Sequence, residues 1–278
     1  MQRVTGVNDL TAAIDAARER GLEIAFVPTM GALHDGHLSL IREARRLTSF
    51  VIVSIFVNPL QFGVGEDLDK YPRQIEEDSV KLEELGVDVL FTPTVNDVYK
   101  GNMEVTKHAG HIGEILEGAA RRGHFDGVLT VVSKLFDAVK PNYAIFGAKD
   151  AQQVFLIQQM AKADYPNIQI VVAPIVREES GLALSSRNVY LSPEEHSAAT
   201  LISQALLAGK AAAVSVDQAI QAAETRLLAI PKAKLGYISL VNKNTFEPVL
   251  DGFKGQALML TAVVVGTTRL IDNIDITF

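Results

Sequence analysis

The sequence predicts an α/β chain, with a doubly wound parallel sheet over residues 1–176 and a smaller α+β domain over 177–278. Three observations carry this reading. Short, almost wholly apolar segments alternate with amphipathic ones up to about residue 176, the pattern of strands buried on both faces between covering helices. That alternation then gives way to a polar stretch, two helical segments and a run of strand-like ones. With 278 residues, 48% apolar and 21% charged, the chain can fill one large core or two modest ones.

In order along the chain, Asn8 can cap a helix that turns Leu10, Ile14 and Ala17 inward and stops at Gly21. "EIAFVPT" reads as a buried strand, "GHLSLIREARRL" as a helix and "FVIVSIFVN" as an apolar strand. "RQIEEDSVKLEELG" is an amphipathic helix stopped by Gly86, and "VDVLFTP" a third strand. Helix "GVLTVVSKLFDAV", strand "YAIFGAKD", helix "AQQVFLIQQMAKA" and strand "IQIVVAPIV" complete the alternation. The polar "REESGLALSSRN" follows. Ser192 then caps a helix that Pro193 opens, "SVDQAIQAAETRLLA" is a second helix ending before Pro231, and "YISLVN" and "ALMLTAVVVG" are strands.

Lys and Arg number 26 against 33 Asp and Glu, a formal charge of −7, which argues against general binding to nucleic acid but leaves room for a local cationic pocket. The absence of cysteine excludes disulfides, thiolate nucleophiles and cysteine-held zinc. The first twenty residues contain no apolar h-region, and the longest apolar run falls well short of the ~20 residues that span a membrane. The expectation is a cytoplasmic chain with no membrane contact.

"VPTMGALHDGHLSLI", residues 27–41, places two glycines and two histidines where a strand hands over to a helix. In open α/β sheets ligands sit beyond the carboxyl ends of the strands, where helix N-termini present unpaired N–H groups to anions. Gly31 and Gly36 permit close backbone approach. His34 and His37, three apart, can donate to a phosphate and answer developing negative charge. On spacing alone a pair of solvated loop histidines is the readier reading, and a metal pair lacks its third ligand.

"HDGH" after an apolar strand and "LSSRN" about 150 residues later resemble the two signatures of adenylating nucleotidyltransferases. More closely, "VPTMGALHDGH", "SIFVNPLQF", "DLDKYPR", "GHFDGVLTVVSKLF", "FGAKDAQQ" and "GLALSSRN" in this order resemble the pantoate–β-alanine ligase family over residues 23–190, with "RLIDN" near the end as further support. The resemblance implies a Rossmann-like first domain binding nucleotide and pantoate, a C-terminal lid domain, a homodimer, and ATP, pantoate and β-alanine as small-molecule substrates. The implied reaction joins pantoate to β-alanine through a pantoyl adenylate and releases AMP and pyrophosphate.

The resemblance also assigns residues. Met30, Gly31, Ala32, Leu33, His34, Asp35, Gly36 and His37 would line the ATP site, with His37 the proton donor and His34 its partner on the phosphates. Gly147, Ala148, Lys149 and Asp150 would form a second nucleotide segment, although Asp150 also reads as a helix cap. Val176, Leu184, Ser185, Ser186 and Arg187 would supply further ATP contacts, the serines as hydroxyl donors and Arg187 as a planar cationic fork. Gln61 would contact pantoate and β-alanine, and Gln153 pantoate. Asp67 is the candidate contact for the Mg²⁺ that accompanies ATP, and reads equally as a solvated loop carboxylate. Tyr71 and Arg121 lie in family-like segments bordering the site.

The chain departs from the family pattern at Arg122, Asp126 and Ser180, none of them a matched contact. Two other readings stay open at this level: a transferase of the same superfamily that stops at the nucleotidyl product, and a nucleotide sensor without turnover. The glutamines of "NPLQF" and "KDAQQ" suit an uncharged polyol acid, which favours the ligase.

Overall fold

The computed structural model describes residues 1–63, 65, 66 and 68–278; Asp67, the expected metal contact, lies outside the described residues. The chain divides into two compact units, Met1–Ala148 with Gln152–Pro174, and Lys149–Ala151 with Ile175–Phe278.

The first unit is built on six parallel strands: β1 (Gln2–Val4), β2 (Ile24–Thr29), β3 (Phe50–Ile55), β4 (Val89–Phe91), β5 (Tyr143–Gly147) and β6 (Gln169–Ala173). Their spatial order is β1-β4-β3-β2-β5-β6, every pairing parallel. The connecting helices are α1 (Val7–Glu19), α2 (Asp35–Leu47), α3 (Ile75–Glu84), α4 (Val95–Tyr99), α5 (Glu117–Ala120), α6 (His124–Val139) and α7 (Ala151–Asp164).

Strand residues alternate between faces, so each apolar strand feeds two cores. Ile24, Phe26 and Ile52 pack with Leu10 and Ile14 of α1, Phe136 of α6 and Ile157 of α7. Ala25, Val27, Val51 and Val53 pack with Ile41 and Ala44 of α2 and Leu82 of α3. A sheet covered on both sides in this way needs strands without a polar face, which is what the sequence supplies.

Two local expectations change. The helix cap is Gly6, in extended conformation, and the exposed Asn8 lies inside α1. The reason is β1, whose pairing with β4 leaves only Thr5 and Gly6 between strand and helix. Helix α4 is an addition to the expected elements; Thr94 and Asp97 start it with a reciprocal capping box.

The topology also fixes where a ligand can sit. From β2 the chain builds toward β3 and β4, whereas β5 and β6 lie on the other side of β2. The helix that follows β2 packs in one core and the helix that follows β5 in the other. The carboxyl ends of β2 and β5 therefore flank the topological switch point, where open α/β sheets bind ligands.

In the second unit β7 (Ala233–Asn242), β8 (Gln256–Val265) and β9 (Thr268–Thr277) form an antiparallel sheet in that order. Helices α8 (Pro193–Ala211) and α9 (Val216–Leu228) pack against it through Ile202, Leu206, Ala219 and Ala223. Ser192 and Glu195 cap α8 reciprocally, with Pro193 in its first turn. Among the described residues no helix is long and apolar enough to cross a membrane.

Candidate active site

The site begins where β2 ends. Thr29 donates its hydroxyl to the Ser54 carbonyl (2.8 Å) and accepts from the Gly31 N–H (3.2 Å), which turns the chain out of the sheet. Gly31 (φ 83°) and Ala32 (φ 52°) are both left-handed. For Ala32 that conformation costs ~1–2 kcal/mol, so something must hold it.

The holder is Asp78 on α3, which is fully buried. Its two carboxylate oxygens accept from the N–H of Ala32 (2.9 Å) and of Leu33 (2.8 Å). Lys81, one turn on, donates to the Leu33 carbonyl at 2.7 Å. Gly31 permits this approach: a Cβ there would lie 3.0 Å from Ile55 and 3.2 Å from the Asp78 carboxylate.

The pinned loop delivers the two histidines to the start of α2. His34 is the N-cap, its Nδ1 accepting from the Gly36 N–H at 3.1 Å, while the His34 N–H points to His37 Nδ1 at 3.4 Å. The rings stack tilted, centroids 4.2 Å apart. Because both Nδ1 atoms accept from backbone N–H groups, each neutral ring carries its proton on Nε2. Two Nε2–H donors thus sit over a helix N-terminus whose dipole favours negative charge. Asp35, exposed, is the first residue of the helix. Gly147 ends β5 at the same edge; its missing Cβ would touch Leu40 of α2 at 3.8 Å.

A second corner follows β3. Asn58 caps the single turn Pro59–Gln61 by accepting from the Leu60 N–H. The Asn58 amide, almost fully buried, donates to Gln61 Oε1 (3.1 Å) and to the Gly127 carbonyl (3.1 Å), and its oxygen also accepts from the Tyr99 hydroxyl at 2.5 Å. Gln61 is thereby oriented, its oxygen on Asn58 and its nitrogen 2.9 Å from the Met30 sulfur. This contact joins the Gln61 corner to the 30–37 loop. Burial pushes the Tyr99 hydroxyl far above the usual phenol range, which keeps it a donor.

A polar relay backs the Gln61 turn. The Arg121 fork grips Glu66 at 2.7 and 2.9 Å, holding that carboxyl below its ordinary range. Arg121 Nη1 also meets His124 Nε2 at 3.0 Å, and His124 Nδ1 lies 2.7 Å from the Gln61 carbonyl. Since Arg only donates, His124 Nε2 accepts and Nδ1–H donates to that carbonyl. α6 can come this close because Gly127 lacks a side chain; a Cβ there would fall 2.2 Å from the Leu60 carbonyl oxygen.

The remaining expected residues lie as follows. Gln153 is half-buried in the first turn of α7. Tyr71 is buried edge-on against Phe62 (6.0 Å), its carbonyl accepting from Arg73. In the second unit the Leu184 N–H donates to the Val176 carbonyl at 3.0 Å, closing a hairpin over 176–184. Ser185 then caps the short turn Ser186–Tyr190 by accepting from the Arg187 N–H. Ala148, Lys149 and Asp150 form one turn directly after β5, with Lys149 half-buried and Asp150 exposed. The structure thus gathers 30–37 with Gln61 in one unit and Val176 with 184–187 in the other.

Sequence reasoning missed Asp78, Asn58 and His124. Asp78 carried one usable signal: it stands four residues before the buried Leu82, on the buried stripe of α3.

The model of a protein family described as pantoate–β-alanine ligase matches residues 2–275. The chain belongs to the pantoate–β-alanine ligase family. It is 44% identical over 285 residues to the pantothenate synthetase of Acetivibrio thermocellus, covering 99% of each chain. To that of Mycolicibacterium smegmatis it is 48% identical over 272 residues, 96% of this chain and 85% of the relative. Among solved structures, pantothenate synthetase from Thermus thermophilus is 45% identical with a TM-score of 0.92, covering 99% of both chains. The pantoate–β-alanine ligase of Francisella tularensis, solved with β,γ-ATP and β-alanine, is 37% identical with a TM-score of 0.82, covering 99% of this chain and 97% of that one. As a member of this ligase family the chain is an enzyme, and its Rossmann-like sheet with a small antiparallel second sheet is the family's fold.

Proposed function

We propose that this chain condenses pantoate with β-alanine, driven by ATP, in two steps. A pantoate carboxylate oxygen bonds the α-phosphorus as the bond to the bridging oxygen breaks, giving pantoyl adenylate and pyrophosphate. The β-alanine nitrogen then bonds the acyl carbon, AMP leaves with the electron pair, and the nitrogen sheds a proton. Both steps need alignment and charge stabilisation rather than a protein nucleophile.

One observation carries this reading: two Nε2–H imidazoles over the N-terminus of α2, at the switch point of the sheet. Such donors meet the charge that grows on phosphate oxygens in the transition state. His37 serves as the acid, with His34 beside it. Gly31, Ala32, Leu33, Asp35 and Gly36 contribute backbone around the nucleotide. Gln61, held by Asn58, and Gln153 select pantoate. Lys149, Val176, Leu184, Ser185, Ser186 and Arg187 complete the ATP contacts, on the likeness of their motifs to the family.

Mg²⁺ enters this proposal as the counter-ion of ATP, neutralising phosphate charge when bound. Among the described residues no three His, Asp or Glu side chains gather into a metal cage, so no step is assigned to protein ligands of the ion. A homodimeric assembly and a cytoplasmic setting belong to the same proposal and rest on the resemblance alone; sedimentation equilibrium tests the assembly.

The deciding experiment is exchange of labelled pyrophosphate into ATP. It should require pantoate, and AMP release should require β-alanine. AMP retained in the product, or exchange without pantoate, overturns the reading.

A further inference from the structure

The stretch "RLIDN", residues 269–273, has no place in the mechanism so far. It lies in β9, and its last two residues are both buried although polar, Asp272 at 4% and Asn273 at 5% exposure. A buried carboxylate is retained only when paired and fully hydrogen-bonded, so its partners define its use.

Consecutive strand residues point to opposite faces, so the pair reaches in two directions. Asp272 receives both arms of the Arg177 fork, at 2.6 and 2.8 Å, and the Asn273 N–H at 2.7 Å. Arg177 also donates to the Gly181 carbonyl at 3.1 Å. Those contacts clamp the 176–184 hairpin, in which Arg177 pairs with Ala183, Leu184 bonds Val176 and Gly181 makes the turn. The hairpin runs straight into the Ser185–Arg187 turn. In the other direction Asn273 Nδ2 donates to the Lys149 carbonyl at 2.9 Å.

We propose that Asp272 and Asn273 are positioning residues that hold two separate nucleotide-contacting segments, Lys149 and Leu184–Arg187, in register through one dipeptide of β9. This rests on the assignment of those segments to ATP. A fork gripping a carboxylate in two bonds fixes orientation as well as distance, which a lysine at 177 could not do.

Calorimetry with a non-hydrolysable ATP analogue tests this separately from turnover. Asn273→Ala should weaken analogue binding roughly 3–10-fold, the range for one lost hydrogen bond, with the KM for pantoate little changed and the melting temperature lowered by about a few degrees. Asn273→Asp keeps the shape but turns an acceptor toward the Lys149 carbonyl, and should weaken it further. Arg177→Lys should mimic Asp272→Asn, and the double variant should lose little more than either alone. If Asp272→Asn fails to fold, Arg177→Lys and the Asn273 pair still decide the matter. Unchanged analogue affinity in the folded variants, or equal losses for ATP and pantoate, overturns the proposal. A wild type that binds the analogue but exchanges no pyrophosphate refutes the ligase assignment while the affinities still judge the positioning role.

Discussion

Replacing Asp78 tests whether the histidine corner is held from outside. The carboxylate satisfies two buried N–H groups, on Ala32 and Leu33. Asp78→Ala leaves both without an acceptor, at about 1–3 kcal/mol each, so about 2–6 kcal/mol in all. That is a large share of the roughly 5–15 kcal/mol typical of a folded domain. Asp78→Asn is the sharper probe, because it keeps the volume. Its amide oxygen can serve one N–H while its NH₂ faces the other, so about 1.5–3 kcal/mol should be lost from the charge-assisted bond. Urea denaturation reads this loss. A kinetic loss of comparable size should accompany it, since Ala32 then relaxes from its left-handed conformation and displaces both rings. A displacement of about 1 Å at a reacting centre costs on the order of 10²-fold in rate, and pyrophosphate exchange reads that loss. An Asp78→Asn protein with wild-type denaturation midpoint and exchange within about twofold of wild type would show that the loop holds its own shape.

Three further outcomes are expected. His37→Ala should lower pyrophosphate exchange by roughly 10²–10³-fold, the scale of one missing transition-state donor; turnover near wild type would remove His37 from the chemistry. Gly127→Ala puts a methyl 2.2 Å from the Leu60 carbonyl oxygen and should destabilise by about 1–3 kcal/mol while raising the KM for pantoate, and an unaltered KM would separate the Gln61 turn from substrate. Glu66, held below the ordinary carboxylate range by Arg121, favours the folded state in its ionised form. Its contribution is complete above the ordinary value of 4.5 and is lost as pH falls through the lower folded value. Denaturation midpoints of wild type should therefore drop more steeply below about pH 4.5 than those of Glu66→Gln; parallel curves would refute the coupling.

The apolar strands, the glycine stops at Gly21 and Gly86 and the capped start of α8 were legible because each rests on a local rule. β1 was not, since three residues of which only Val4 is buried make no pattern, and its pairing with β4 is set far along the chain, at Val89–Phe91. The same strand moved the start of α1 from Asn8 to Gly6. In the site, the paired histidines and glycines stood out because their residue types are unusual at a strand–helix junction. Asp78 did not, because "EED" at the head of a helix reads as a solvated face, and only the fold shows that the third acid turns inward to two backbone groups. His124 was hidden for a related reason: its value lies in a tautomer set by Arg121 and the Gln61 carbonyl, partners that no spacing reveals.

The full commitment of the Asn58 amide bears on attempts to redesign this enzyme for other acids. A library that varies position 61 alone strands a buried amide hydrogen at every member that cannot replace the glutamine oxygen, and so screens mostly for folding defects. Positions 58, 61 and 99 form one inheritance unit, to be randomised together or left untouched.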